Sequence, residues 1–270
     1  MGLELLSSLE APSVPAPYAA ALRGLNQRQV PYLVGGTYAY CHYTQISRPT
    51  KDLDLFVLRE DRDRALEALS ALGWDTHVAF PHWLAKAESA DHSIDVIHGA
   101  GNGVAMVDAE WFTYAQPAQI LGEATRLAPP EEMIWSKAFV MEKYRYDGAD
   151  VAHLILRQGA TLDWDRLVRR FGRHWRVLFT HLVLFEFIYP GRKIVPRFVL
   201  KALSDRMWEE EDGAKCDSLC QGVLLSRKQY RVDTESWRLR DARLDPDVAM
   251  TPGDIVDWTM AKPAPSDPDV

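Results

Sequence analysis

The alternation Lys51-Asp52-Leu53-Asp54-Leu55-Phe56-Val57 constrains this chain more than any other stretch. On an extended strand, residues two apart project to the same side, so Asp52 and Asp54 share one face and Leu53 and Leu55 the other. Carboxylates held that close repel, and each is pushed toward its neutral form unless a cation sits between them. Mg²⁺ is the natural occupant, because it takes oxygen ligands and is commonly held by one or two carboxylates plus substrate phosphates. Mn²⁺ suits the same donors. The pair therefore points to a site for a nucleotide and a divalent metal rather than to a packing solution.

Upstream, Val30-Pro31-Tyr32-Leu33-Val34 reads as a short buried strand, and Gly35-Gly36 lets the backbone turn tightly and approach a ligand with no Cβ in the way. Thr37 is then expected to cap a helix running to about Tyr43. A helix N-terminus offers free N–H groups to phosphate. Phosphate cradle and metal pair thus fall within one strand, turn, helix and strand.

The joined string Gly-Gly-x(11)-Arg-x-Thr-x-Asp-x-Asp-Leu, with Arg48 and Thr50 leading into the carboxylates, resembles the signature of the DNA polymerase β-like nucleotidyltransferase superfamily. Within it, the chain looks nearest to the AbiEii-type toxins and small bacterial nucleotidyltransferases. Two-metal phosphoryl transfer needs a further oxygen ligand. His92-Ser93-Ile94-Asp95-Val96-Ile97 supplies one, with Asp95 on the face opposite Ile94 and Val96. Asp91 and Asp108, in turn-like surroundings, are the competitors. Asp52, Asp54 and Asp95 are accordingly expected as metal ligands and catalytic carboxylates. Gly35, Gly36, Thr37 and Thr50 are expected around the nucleotide. Arg48 and Lys51 either neutralise phosphate charge or merely flank the strand.

A second cluster runs from Pro130-Glu131-Glu132 to Asp150-Val151. Met133, Ile134, Lys137, Ala138, Met141 and Tyr144 fall near helical spacing after a Pro-Glu-Glu opening suited to a first turn. Lys137 on that apolar stripe reads by itself as a snorkelling side chain. The AbiEii-type proteins resemble this stretch too, with a helix-borne lysine, an arginine-aspartate region and a further aspartate. That implies Lys137, Asp147 and Asp150 near the nucleotide, and leaves open which aspartate is the family's.

With 270 residues and 47% apolar content, the chain can bury a substantial core and divide in two. Helix and strand signals alternate through the first part: helices over Tyr18 to Gln27 and Arg62 to Leu72, extended stretches over Thr76 to Phe80, Trp83 to Ala87 and Ser93 to Ile97. The fold expected is α/β (α+β), a small mixed sheet (1–129) followed by a mostly helical lobe (130–261) and a frayed tail (262–270). The helical periodicity covers Asp163 to Phe171, Trp175 to Ile188 and Pro196 to Trp208. No apolar run approaches the roughly 20 residues that span a bilayer, and the acidic start Met1-Gly2-Leu3-Glu4 does not suit a secretory signal, so a cytosolic protein without a membrane role is expected. Three cysteines, Cys41, Cys216 and Cys220, speak against a disulfide framework, and no zinc-ligand spacing accompanies them. His98, near Asp95, is the one histidine of interest.

Net charge is −7, yet residues 163–206 carry ten cations against four anions. That lobe either holds an RNA backbone or is a solvated face whose arginines pair with the run Glu209-Glu210-Glu211-Asp212. The resemblance implies transfer of a nucleoside monophosphate from an NTP to an acceptor hydroxyl, on RNA or tRNA, a protein or a small molecule such as an aminoglycoside or lincosamide. An antitoxin partner is implied by resemblance alone. The contrasting expectation is a binding module of the same fold that grips a nucleotide or RNA without turnover.

Overall fold

The computed structural model describes residues 16–209 and 218–261. In chain order the elements are α1 (Ala16–Gln27), β1 (Leu33–Val34), α2 (Gly36–Thr44), β2 (Asp52–Phe56), α3 (Arg62–Ser70), β3 (Asp75–Phe80), β4 (Leu84–Ser89), β5 (His92–Ile97), α4 (Ala109–Thr113), β6 (Gln116–Ile120) and β7 (Glu123–Leu127). There follow α5 (Pro130–Ala138), β8 (Met141–Glu142), β9 (Arg145–Tyr146), α6 (Gly148–Gln158), α7 (Trp164–Phe171), α8 (Trp175–Ile188), α9 (Arg197–Glu209), β10 (Leu219–Cys220), α10 (Arg231–Glu235), β11 (Arg240–Asp241) and α11 (Pro252–Met260).

One mixed sheet has the order β3-β4-β5-β2-β1-β7-β6. The pairs β2–β5 and β1–β7 are parallel and the rest antiparallel. The alternation read from the sequence explains its two faces. Leu53, Leu55, Ile94, Val96, Ala85 and Ala87 are fully buried, while their strand neighbours Asp52, Asp54, Asp95 and Lys86 stand on the other side. Helices α1 and α3 pack on the sheet, and α2 joins it to the helical half through α6. Sheet gives way to helix at Pro129-Pro130: β7 ends at Leu127, Ala128 still donates to the Val34 carbonyl at 2.9 Å, and α5 starts at Pro130. The two halves are not independent, because residues 218–261 return to the sheet side. There Asn102 Nδ2 donates to the Leu224 carbonyl and Ala249 N–H to that of Gly103.

The structure departs from several expectations. The strand before the diglycine is two residues long, not five. The helix starting at Pro130 ends at Ala138, so Met141 and Tyr144 lie not on its stripe but in the β8–β9 hairpin. A remote segment overrides the local periodicity there. Met141 N–H donates to the Leu225 carbonyl, and Glu142 accepts from Ser226 Oγ at 2.6 Å. Thr37 is not the cap of α2. Gly35 holds that place without a side-chain bond, and Ala39 N–H closes the first turn on the Gly35 carbonyl, since the glycine bend starts the helix a residue early. Cys220 lies on the short strand β10. Cys216, the tail 262–270 and Glu210 to Asp212 lie outside the described residues.

Candidate active site

The parallel register of β2 and β5 sets Asp54 beside Asp95 and Asp52 beside Ser93. Both β2 carboxylates and that of Asp95 thereby meet on one face, each half-buried, with one ligand oxygen from each within 4.8 Å of the others. Thr50 Oγ1 fixes Asp52 by donating to its Oδ1 at 2.9 Å. Asp95 accepts from Lys86 Nζ at 2.5 Å across β4–β5.

Gly36 explains how Asp54 fits. Its φ of +50° lies in the region that favours glycine, and a Cβ there would collide with Asp54 Oδ2. A Cβ on Gly35 would strike the Phe56 ring, and the Gly35 N–H already donates to the Asp54 backbone carbonyl at 2.9 Å. Room left by the diglycine is therefore used first by β2 itself. The N–H groups of the first α2 turn after Gly35 have no acceptor within the helix.

Burial, followed by repulsion from Asp52 and Asp95, pushes the Asp54 carboxyl up to about 7, against the opposing pull of Lys137 and Arg145. Burial also raises the Asp95 carboxyl, although Lys86 acts the other way. Three close carboxylates with one of them half-protonated near neutrality form a site short of positive charge. Oxygen donors in this arrangement fit a hard divalent cation.

A second group of charges adjoins the first. Lys137, on α5, donates to Asp150 Oδ2 at 2.7 Å and lies 3.4 Å from Asp147 Oδ2. Arg48 makes a two-pronged pair with Asp150, both bonds 2.8 Å, and its guanidinium lies 4.2 Å from the Tyr40 ring centroid. Arg145 pairs with Asp147 through Nε and Nη2, both at 3.0 Å. Burial would raise the Asp147 and Asp150 carboxyls. At Asp147, Lys137 and Arg145 outweigh it, and at Asp150 Arg48 and Lys137 do so, holding both below the ordinary carboxylate range. Lys137 thus does not snorkel; its side chain is 14% exposed and bridges both aspartates, so each candidate for the family's aspartate contacts the same lysine.

Lys51 stays apart. It lines a shallow surface cavity of about 600 Å³ with Asp75, Glu88, Ser89, Ala90, Asp91, His92 and Ser93. Of the competitors to Asp95, Asp91 belongs to that cavity, and Asp108 caps α4 and pairs with Arg170. His98 is a core residue, its Nε2 3.2 Å from the Pro81 carbonyl and its pKa pushed down to about 4, chiefly by burial. Sequence reasoning passed over Lys86 and gave Arg145 no role of its own. A lone lysine between alanines in Leu84-Ala85-Lys86-Ala87 was the available signal for the first.

Three arginines of the basic stretch pair with carboxylates far away in the chain. Arg166 is buried and pairs with Glu131 and Glu132. Arg170 joins Glu132 to Asp108, and Arg173 reaches Asp245 and Asp247. The pairing expected with Glu209 to Asp212 involves residues that lie mostly outside the described ones.

Among curated proteins, none matches the sequence. Several solved structures do, as distant likenesses of fold. The antibiotic-resistance factor ANT(2'')-Ia is 18% identical over 64% of this chain and 96% of that one, with a TM-score of 0.44. The lincosamide antibiotic adenylyltransferase LnuA, lincomycin-bound, is 14% identical over 51% and 94%, with a TM-score of 0.38. An antigenic nucleotidyltransferase-like protein from Paracoccidioides brasiliensis is 14% identical over 69% and 92%, with a TM-score of 0.40. The expected nearness to AbiEii-type toxins in particular is not among these findings. A family described as "Uncharacterised nucleotidyltransferase" matches residues 18–184, an interval that takes in both charged groups. With well over half its length inside that match, the chain belongs to this nucleotidyltransferase family.

Proposed function

We propose that this enzyme transfers a nucleoside monophosphate from an NTP to an acceptor hydroxyl, on the sheet face formed by Asp52, Asp54 and Asp95. The observation that carries the reading is the convergence of those three carboxylates beside the diglycine bend. In the reaction an acceptor oxygen forms a bond to the α-phosphorus, the bond from that phosphorus to the oxygen bridging to the β-phosphate breaks, and pyrophosphate leaves. The acceptor's proton is lost in the same exchange.

Asp52, Asp54 and Asp95 would hold Mg²⁺ or Mn²⁺, which supplies neutralisation of the triphosphate and of the entering and leaving oxygens. The chain's own groups prepare the place. Thr50 holds Asp52, Gly36 leaves space for Asp54, and the first turn of α2, including Thr37, offers N–H groups to phosphate. Lys137 and Arg145 would bring positive charge to the Asp54 side, a reading supported by their downward pull on that carboxyl. Asp147 and Asp150 hold those cations in place, and Arg48 acts through Asp150. We read residues 1–129 as the part carrying the carboxylates and 130–261 as the part carrying the phosphate-side cations.

The test is incubation of the full chain with each α-labelled NTP, Mg²⁺ or Mn²⁺ and a cell extract, beside the variant Asp52→Asn/Asp54→Asn. Metal-dependent label on RNA, a protein or a small molecule, absent in the variant, supports the reading and names the acceptor. Label that persists in the variant, or no label and no metal-dependent pyrophosphate release under any condition, overturns it.

A further inference from the structure

Lys86 stands where a cation is least expected if the neighbouring carboxylates are to receive a metal. It is central on β4, with its cross-strand partner Asp95 on β5, and its Nζ lies 2.5 Å from Asp95 Oδ1. On the other side its partner is His77 of β3, which is exposed. The Lys86 side chain is 30% exposed and that of Asp95 15%, so the ammonium has room to withdraw toward solvent while the carboxylate does not. Lys137, in contrast, is fixed between two aspartates.

The charges decide what this placement does. Asp52, Asp54 and Asp95 carry three negative charges when ionised, and Lys86 offsets one of them. The remainder matches a single divalent ion. A second ion would have to displace the ammonium from Asp95 and would meet net positive charge unless the triphosphate brought its own negative charge.

We propose that Lys86 is a positioning residue that occupies Asp95 in the nucleotide-free enzyme and makes loading of the Asp95 metal position conditional on the arrival of NTP. The inference rests on the reading of Asp95 as a metal ligand. It adds that this ligand is guarded, so that free divalent ion does not fill the position at Asp95 before substrate is bound.

The experiment is Mn²⁺ titration followed by electron paramagnetic resonance, above neutral pH, on the full chain and on Lys86→Met and Lys86→Arg. Each is measured with and without an α,β-methylene NTP analogue. Without nucleotide, Lys86→Met is expected to bind Mn²⁺ about tenfold more tightly than the native chain, while Lys86→Arg, which keeps the charge, stays within about twofold. With the analogue bound, the three converge. Should Lys86→Met fail to fold, Lys86→Gln carries the same expectation. A Lys86→Met protein that binds Mn²⁺ no more tightly than the native chain without nucleotide overturns the inference. If Asp52→Asn/Asp54→Asn nevertheless abolishes binding, the proposed function stands without it. A native chain that binds no Mn²⁺ even with the analogue removes both.

Discussion

Two charged clusters lie side by side in this protein and are built on opposite principles. The β2–β5 cluster sets three carboxylates against one partly exposed lysine, and its carboxyls at Asp54 and Asp95 are raised. The cluster of Arg48, Lys137, Arg145, Asp147 and Asp150 sets three cations against two carboxylates, and both carboxyls are lowered. The first is short of cations and the second is saturated with them. A folded chain retains an unbalanced group of like charges at a cost, and such strain concentrates where ligands bind. On the proposed reading, the first cluster would take the metal and the second would have a supporting, phosphate-facing role.

Substitutions in the two clusters should separate cleanly. The largest effect is expected from Asp52→Asn/Asp54→Asn, which should lower nucleotidyl transfer about 10³-fold or more with the far-ultraviolet circular dichroism unchanged. Transfer within about tenfold of the native rate would show that the unbalanced cluster is not the chemical one. Lys137→Met should act chiefly on stability and NTP affinity. It strands Asp147 and Asp150 with half their partners, costing about 3 kcal/mol by denaturant unfolding. Loss of stability well below that would mean the second cluster is no more than a solvated ion pair.

Gly36→Ala joins the two effects at one position. With φ at +50° and no space beside Asp54 Oδ2, the methyl group must push the carboxylate away. About 1–3 kcal/mol of stability should go, together with most of the Mn²⁺ affinity. Retained metal affinity would show that Asp54 reaches the ion from some other position.

The smallest effect sharpens the comparison through pH. Asp54, raised to about 7, binds more protons folded than unfolded between the ordinary carboxylate range and neutrality. Its contribution to stability in metal-free protein is therefore present at low pH and is lost as pH rises through about 7. Asp150, lowered, contributes the reverse: stability present above its unfolded pKa and lost as pH falls through the lower folded one. Asp54→Asn should stabilise the metal-free protein by about 1 kcal/mol at neutral pH and by less near pH 4, whereas Asp150→Asn should destabilise it at neutral pH. Thermal unfolding across that range checks both signs, and two variants moving in the same direction would erase the distinction.

What could be read from the sequence followed from short-range geometry. Period-two alternation put Asp52 and Asp54 on one side and Asp95 opposite Ile94 and Val96, and the β2–β5 register then joined them. Helices α7, α8 and α9 fell within a residue or so of their expected spans for the same local reason. Partners far apart in the chain were not legible. Arg166 meets Glu131 and Glu132 more than thirty residues away, which takes that arginine out of the apparent basic face and into an internal ion pair. The β8–β9 hairpin depends on Leu225 and Ser226, so helical spacing ran on through Met141 and Tyr144 where the backbone had already turned. Lys86 went unseen because only strand pairing reveals that it faces Asp95.

The most direct test is the anomalous scattering of Mn²⁺ in crystals of the full chain grown with an α,β-methylene NTP analogue. The account predicts density for the ion among the carboxylates of Asp52, Asp54 and Asp95, with the triphosphate between it and the first turn of α2. Manganese bound elsewhere, or a nucleotide seated away from the diglycine bend while those three carboxylates stay without an ion, would contradict it.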